Sequence, residues 1–195
     1  RIYGCTDPFS ISYNPNATDD DGTCFVPSSQ KVALMGDFTA TWCQYCGQWG
    51  APEFEKAITG SGTAAIPLGI HNTDEITSDV SQALTDYYGA DGTVSGYPTL
   101  LVWNQGSFYD GETMAAAALT EAGTGPAEAG AVASFTDNGT SITISVSAET
   151  FADVTGDYFV VAYLMENGIV KNQVIAGLPD NPNFVHNHVI RASSN

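Results

Sequence analysis

Four cysteines carry most of the chemistry this chain offers. Cys43 and Cys46 stand close together in Thr41-Trp42-Cys43-Gln44-Tyr45-Cys46, whereas Cys5 and Cys24 bracket a polar loop. A C-x-x-C pair at a helix start has a physical logic. The first sulfur lies beside unpaired backbone N–H groups and the positive helix end, which favours thiolate. The second is placed to resolve a mixed disulfide by intramolecular attack. The same pair serves equally as a structural staple or half of a metal site. One zinc held by all four thiolates is the competing arrangement, but Cys5 and Cys24 lack the paired C-x-x-C form of zinc ribbons. We expect Cys5 to pair with Cys24 and Cys43 with Cys46.

Two further residues belong with the close pair. Asp37 lies in an apolar run six residues before Cys43. A carboxyl buried there would have a raised pKa and would exchange a proton with the resolving thiol. The alternative is a hydrogen-bonded carboxylate at a strand end. Gly96-Tyr97-Pro98-Thr99 leads into another apolar run. A cis proline at a strand start holds backbone against a dithiol, whereas a trans proline makes an ordinary turn. We expect Pro98 to be cis, with its loop in contact with Cys43.

The elements that must position these groups follow from periodicity. Val32–Phe38, Ala64–Ile70 and Thr99–Trp103 read as strands, the first and third flanking the candidate site. A helix is expected from near Cys43 to about Ile58. A second carries Ile76, Val80, Ala83, Leu84 and Tyr87 on one face, with Asn72 and Glu75 as its capping signature. Glu112–Glu121 forms a third. The order β-α-β-α-β-α implies strands covered by helices. Gly123-Thr124-Gly125-Pro126 is a breaker cluster, and beyond it the pattern has period two. Ile142, Ile144 and Val146 alternate with Thr143, Ser145 and Ser147. Tyr158–Met165 and Ile169–Ile175 flank Glu166-Asn167-Gly168, a hairpin signal, and Phe184–Ile190 closes the segment. About five strands are too few for a closed sandwich, so an open edge is expected. Three segments result: a Cys-bracketed acidic loop module over 1–27, an α/β domain over 28–125, and a small, open-edged, all-β, sandwich-like domain over 126–195.

Composition narrows the partners. Five Lys and Arg against 22 Asp and Glu give a net charge of −17 over 195 residues. Nucleic acid is therefore excluded as a partner, because phosphate contacts need clustered Lys and Arg. Charged residues make up only 14% of the chain, against the usual ~25%, so Ser, Thr, Asn, Gly and Tyr build much of the surface. No apolar run approaches the roughly 20 residues of a spanning helix. No basic-then-apolar leader opens the sequence, and Arg1 reads as a mature end after leader removal. Two cysteine pairs of different spacing suit an oxidising, extracytoplasmic compartment: secreted, periplasmic or cell-surface.

Asp37, Trp42, Cys43, Cys46 and Pro98, in that order, resemble the buried acid, Trp-Cys-x-x-Cys and cis-proline positions of thioredoxin-fold proteins. The resemblance covers about residues 30–123. It implies a thioredoxin-like domain with these five as catalytic residues, no required cofactor, and protein thiols and disulfides as partners. Gln44-Tyr45 stands in place of Gly-Pro, Pro52 follows Cys46 by six residues, one more than the family's spacing, and only Gly106–Tyr109 is left for the hairpin after Trp103. Residues 166–173 and 185–191 are similar to the end of a Bacteroidetes family of thioredoxin-like outer-membrane and surface proteins, which implies location more than activity.

The loop from Gly4 to Cys24 is similar to a Cys-bracketed module of secreted Bacteroidetes proteins. It offers Asp7, Asn14, Asn16, Asp19, Asp20 and Asp21 as hard oxygen ligands, so calcium is the ion it would take; otherwise it is a solvated acidic loop pinned by one disulfide. His186 and His188 are placed on one strand face, with His71 as a conceivable third ligand for zinc or copper, or else as polar strand residues. Three functions are therefore expected as alternatives: thiol–disulfide oxidoreductase, non-catalytic adhesin or filament subunit assembled through a β edge, and calcium-binding surface module.

Overall fold

A computed structural model describes residues 1–8 and 10–194. The chain divides into two compact units. One combines Arg1–Lys31 with Gly125–Ala162; the other combines Val32–Thr124 with the described residues from Tyr163 onward.

The second unit is a mixed α/β structure. Strands β1 (Ala33–Thr39) and β2 (Ala65–His71) are parallel; β3 (Thr99–Val102) pairs antiparallel with β1, and β4 (Gly106–Phe108) with β3. Buried on both faces apart from Ile66 and Pro67 at the start of β2, β1 and β2 are the near-continuous apolar runs that a covered parallel pair requires. Met35, Leu100 and Val102 pack with Phe54 of helix α1 (Ala51–Ser61) and Met114 of helix α3 (Gly111–Ala122). On the opposite face, Phe38, Leu68, Ile70 and Leu101 pack with Val80 and Leu84 of helix α2 (Asp79–Ala90). The expected β-α-β-α-β-α order is present, with boundaries shifted by a few residues.

Capping of α2 differs from the Asn72/Glu75 expectation. Ser78 is the N-cap: its Oγ accepts from Ser81 N–H at 3.2 Å, and Ser81 Oγ accepts from Ser78 N–H at 2.9 Å. Residues 72–77 instead form a loop organised around Asp74, described below.

In the first unit, β5 (Ala129–Asp137) and β6 (Ile142–Thr150) form a two-stranded antiparallel sheet. The expected third β-rich segment is divided. Strands β7 (Tyr163–Glu166), β8 (Ile169–Gln173), β9 (Asn181–His186) and β10 (Val189–Ser193) belong with the α/β unit. β10 pairs parallel with β2 and antiparallel with β7, giving the order β4-β3-β1-β2-β10-β7, while β8 and β9 form a separate pair.

Asn167-Gly168, expected as a hairpin turn, does not form one. β7 and β8 do not pair with each other. They are consecutive stretches of one arm of a longer hairpin whose other arm is β9 and β10. Glu166 faces Val189 and Ile169 faces His186, so the register is maintained across a kink. Asn167 Oδ1 accepts from His188 N–H at 2.7 Å and Asn187 Oδ1 from Gly168 N–H at 3.0 Å, which supplies the ladder bonds the kink removes. Gly168 and His188 both have positive φ, 77° and 57°. The conformational signal of Asn-Gly is real, but it serves a bend within an arm. Gly69 lies under this kink: a Cβ there would stand 3.1 Å from Asn187 O.

Candidate functional site

Cys43–Cys46 is a disulfide, as is Cys5–Cys24, so the expected pairing holds and all four sulfurs are engaged in these two bonds. The dithiol pair lies between β1 and α1. A π-turn over Cys46–Gly50 leads into α1. A π-turn holds one residue more than an α-turn, and this accommodates the extra residue between Cys46 and Pro52. Cys46 N–H points at Cys43 Sγ at 3.1 Å, the helix-start donor that would stabilise a Cys43 thiolate.

The surrounding loops are tied together. Trp42, half exposed, packs edge-to-face on Tyr97 with ring centroids 5.7 Å apart, and its Nε1–H donates to Asn72 O. Asn72 Nδ2–H donates in turn to Tyr97 Oη at 2.7 Å. The Tyr97–Pro98 peptide is cis, and Tyr97 packs against Ala40, Cys43 and Cys46. A Cβ on Gly50 would meet the Pro98 ring at 2.7 Å, so proline and π-turn are in direct apposition. Trp42, Cys43, Cys46 and Pro98 are thus brought together.

Asp74 was not among the sequence candidates. Its carboxylate accepts from Thr41 N–H at 2.9 Å, fixing the residue that precedes Trp42-Cys43, and is hydrogen-bonded to His71 Nδ1 at 2.7 Å. Burial would raise its pKa, but the bonds from His71, Thr41 and Ile76 outweigh that and hold it down at about 2. The available signal was the i,i+3 spacing of His71 and Asp74 at the end of a strand.

Asp37 is 4% exposed, and its Oδ1 has no hydrogen-bond partner among the described residues. Burial pushes its pKa up to about 7. It lines a cavity of about 270 Å³ together with Gly69, His71, Gln173 and His186. The rings of His71 and His186 meet edge-to-face at 5.1 Å. The expected His186–His188 pair is not formed: the kink at His188 separates it from His186, and His186 turns inward to His71. Among the described residues, no three His, Cys, Asp or Glu side chains gather as a metal site.

Gln173 is the second residue the sequence reading missed. At 2% exposure, its Nε2 donates to the carbonyls of Ala40, Cys43 and Val174 at 3.3, 3.0 and 3.0 Å. Val174 N–H donates to Thr41 O and Ala176 N–H to Gln44 O. The tip of the long hairpin therefore lies across the Cys43–Cys46 turn, and Cys43 is only 5% exposed. Gly47 permits this approach, since a Cβ there would be 2.5 Å from Val174 O.

In the acidic loop the oxygens serve local turns. Asn14 Oδ1 accepts from Asn16 N–H, Asp21 Oδ1 from Thr23 N–H, and Asp19 Oδ2 from Thr18 Oγ1, with Arg1 3.6 Å from Asp19. These bonds show why Asp and Asn recur there. The Asp7 and Asp20 carboxylates are not gathered with them into a group of three acids.

No helix among the described residues is long and apolar enough to cross a membrane. No protein-family model matches the chain, and no curated protein matches it. Among solved structures, HBP35 of Porphyromonas gingivalis is similar, with a TM-score of 0.70 at 20% identity over 85% of this chain. The chain spans 57% of the length of that structure, and the likeness is one of fold.

Proposed function

We propose that this chain is an extracytoplasmic, thioredoxin-like protein whose Cys43–Cys46 pair exchanges thiols and disulfides with proteins. The observation that carries this reading is Asp37. A carboxyl buried in an apolar strand, with an unpartnered oxygen and a pKa near 7, is costly to a fold and is suited to proton exchange at neutral pH. A structural staple has no use for it. In the reducing direction, the Cys43 thiolate attacks a substrate disulfide. Cys46 then attacks the mixed disulfide, forming Cys43–Cys46 and releasing the second substrate thiol. Two disulfides in so short a chain support an oxidising compartment. Because Cys43 is covered, a protein substrate requires the hairpin tip to withdraw first. Insulin reduction with dithiothreitol as electron source is the test: wild type should accelerate precipitation and Cys43→Ser should not. Equal rates for the two proteins refute the reading.

A second reading concerns assembly of the same molecule. The register of β5 and β6 places Phe135, Ile142, Ile144 and Val146 on one face, and all four are exposed, Phe135 by 74%. Such a face supports self-association between surface-displayed copies, as in an adhesin or filament subunit. Sedimentation should show concentration-dependent association that Ile144→Lys abolishes; a monomer at millimolar concentration refutes it.

A further inference from the structure

The cavity beside Asp37 contains a second buried group with an unpartnered atom. His186 is 6% exposed, and its Nε2 has no hydrogen-bond partner among the described residues. Buried polar atoms are seldom left so, and two lining one cavity call for a shared explanation. The backbone arranges the encounter. Parallel register sets Asp37 beside Gly69, and His71 lies two residues further on the same face of β2. The absent side chain at Gly69 leaves room for the hairpin kink, and the kink brings in His186. His71, held by Asp74, supports the His186 ring edge-to-face, and Phe184 packs on it at 4.8 Å.

We propose that His186 is a positioning residue for Asp37, accepting and returning across the shared cavity the proton that Asp37 exchanges with the resolving thiol. This rests on the dithiol-exchange reading above. When Cys46 attacks a mixed disulfide on Cys43, the Cys43–Cys46 bond forms. The bond from Cys43 to the substrate sulfur breaks, and that sulfur leaves with the electron pair. The Cys46 proton passes to the Asp37 carboxylate, then by water to His186 Nε2, and out past the exposed rim at Glu55, Val185 and Asn187. A cavity of this volume holds several waters. Reduction of the disulfide runs the same transfers backwards.

The groups around the ring keep it neutral at rest, so transfer from Asp37 to His186 runs uphill and His186 holds the proton only in passage. Burial, and then the neighbouring His71, depress the His186 pKa to about 4, against the opposing effects of Asp74 and a hydrogen bond with the Lys171 backbone. Glu55 lines the cavity from α1, and the Lys171 ammonium is directed to Glu75 at 3.5 Å. At neutral pH, Nε2 therefore has a lone pair to offer.

The test is the rate at which dithiothreitol reduces Cys43–Cys46, followed by the change in intrinsic tryptophan fluorescence, to which Trp42 beside the pair contributes, across pH 5–9. In this direction the leaving Cys46 must be protonated. We expect His186→Ala to slow reduction about tenfold at pH 7, at the low end for general acid–base effects. Added imidazole should restore the rate in proportion to its concentration, and should have no effect on wild type or on Asp37→Asn. His186→Gln, which keeps a polar side chain but cannot carry the proton, should show the same deficit if the alanine variant does not fold. An unchanged or faster rate, or a slowed rate that imidazole does not restore, overturns the proposal. Insulin reduction is scored separately: wild type inactive on insulin while imidazole rescue is seen would remove the protein-substrate reading and leave the relay standing.

Discussion

Replacing Asp37 by Asn should make the oxidised protein more stable, in a manner set by pH. The unfolded carboxyl has its ordinary pKa of 3.8, and the folded one is raised to about 7 by burial. Between these values the folded chain binds a proton that the unfolded chain has lost. Stability therefore falls as pH rises from about 4 to 7 and levels off above that range. Each unit is worth about 1.4 kcal/mol, so ionising Asp37 costs about 4 kcal/mol of stability by pH 8 and less than 1 kcal/mol at pH 4. Asn removes the titration and keeps the shape. Urea unfolding of both proteins, with all disulfides intact, should show Asp37→Asn ahead by about 4 kcal/mol at pH 8, with the advantage shrinking to under 1 kcal/mol at pH 4. A difference that stays constant across this range would mean that Asp37 is not raised, and the case for its proton exchange would fail with it.

Gly47→Ala should push Val174 away and loosen the hairpin tip; iodoacetamide should then alkylate Cys43 of the reduced protein about tenfold faster than wild type, as for ~1.4 kcal/mol of weakened closure. Replacing Cys5 and Cys24 together by Ser opens a loop with a sequence separation of 19 and should cost about 3 kcal/mol in the unfolding of the first unit, read by calorimetry. Ser78→Ala removes the α2 cap and the Ser78 Oγ bond to Ile190 O; chemical denaturation should report a loss of about 1 kcal/mol.

The α/β core was legible because its signals are local. A buried strand, a C-x-x-C and a proline before a strand each fit within a few residues, and Asp37, Cys43, Cys46 and Pro98 were found that way. The misreadings share a cause. Asn167-Gly168 carries the preference of a tight turn, but the partners that decide its use, Asn187 and His188, lie about 20 residues on. The His186–His188 face assumed a regular strand, which a positive φ at His188 breaks. Asn72 and Glu75 had capping spacing, yet the nearby Ser78 and Ser81 satisfied the helix better because Ser78 Oγ also reaches Ile190 O. Gln173 left no signal, since its role is set by carbonyls 130 and 133 residues away.

That last separation has a temporal side. A chain that emerges or crosses a membrane from its N-terminal end presents Cys43 and Cys46 long before Gln173 and Val174 follow them. α1, β1 and β2 pair through short connections and can form early, whereas β10 must find β2 with Val189 opposite Gly69, across some 120 residues. In that interval the Cys43 and Thr41 carbonyls lack the bonds that Gln173 and Val174 later supply. A disulfide that formed in that interval would form on an open site, with the hairpin still to close over it.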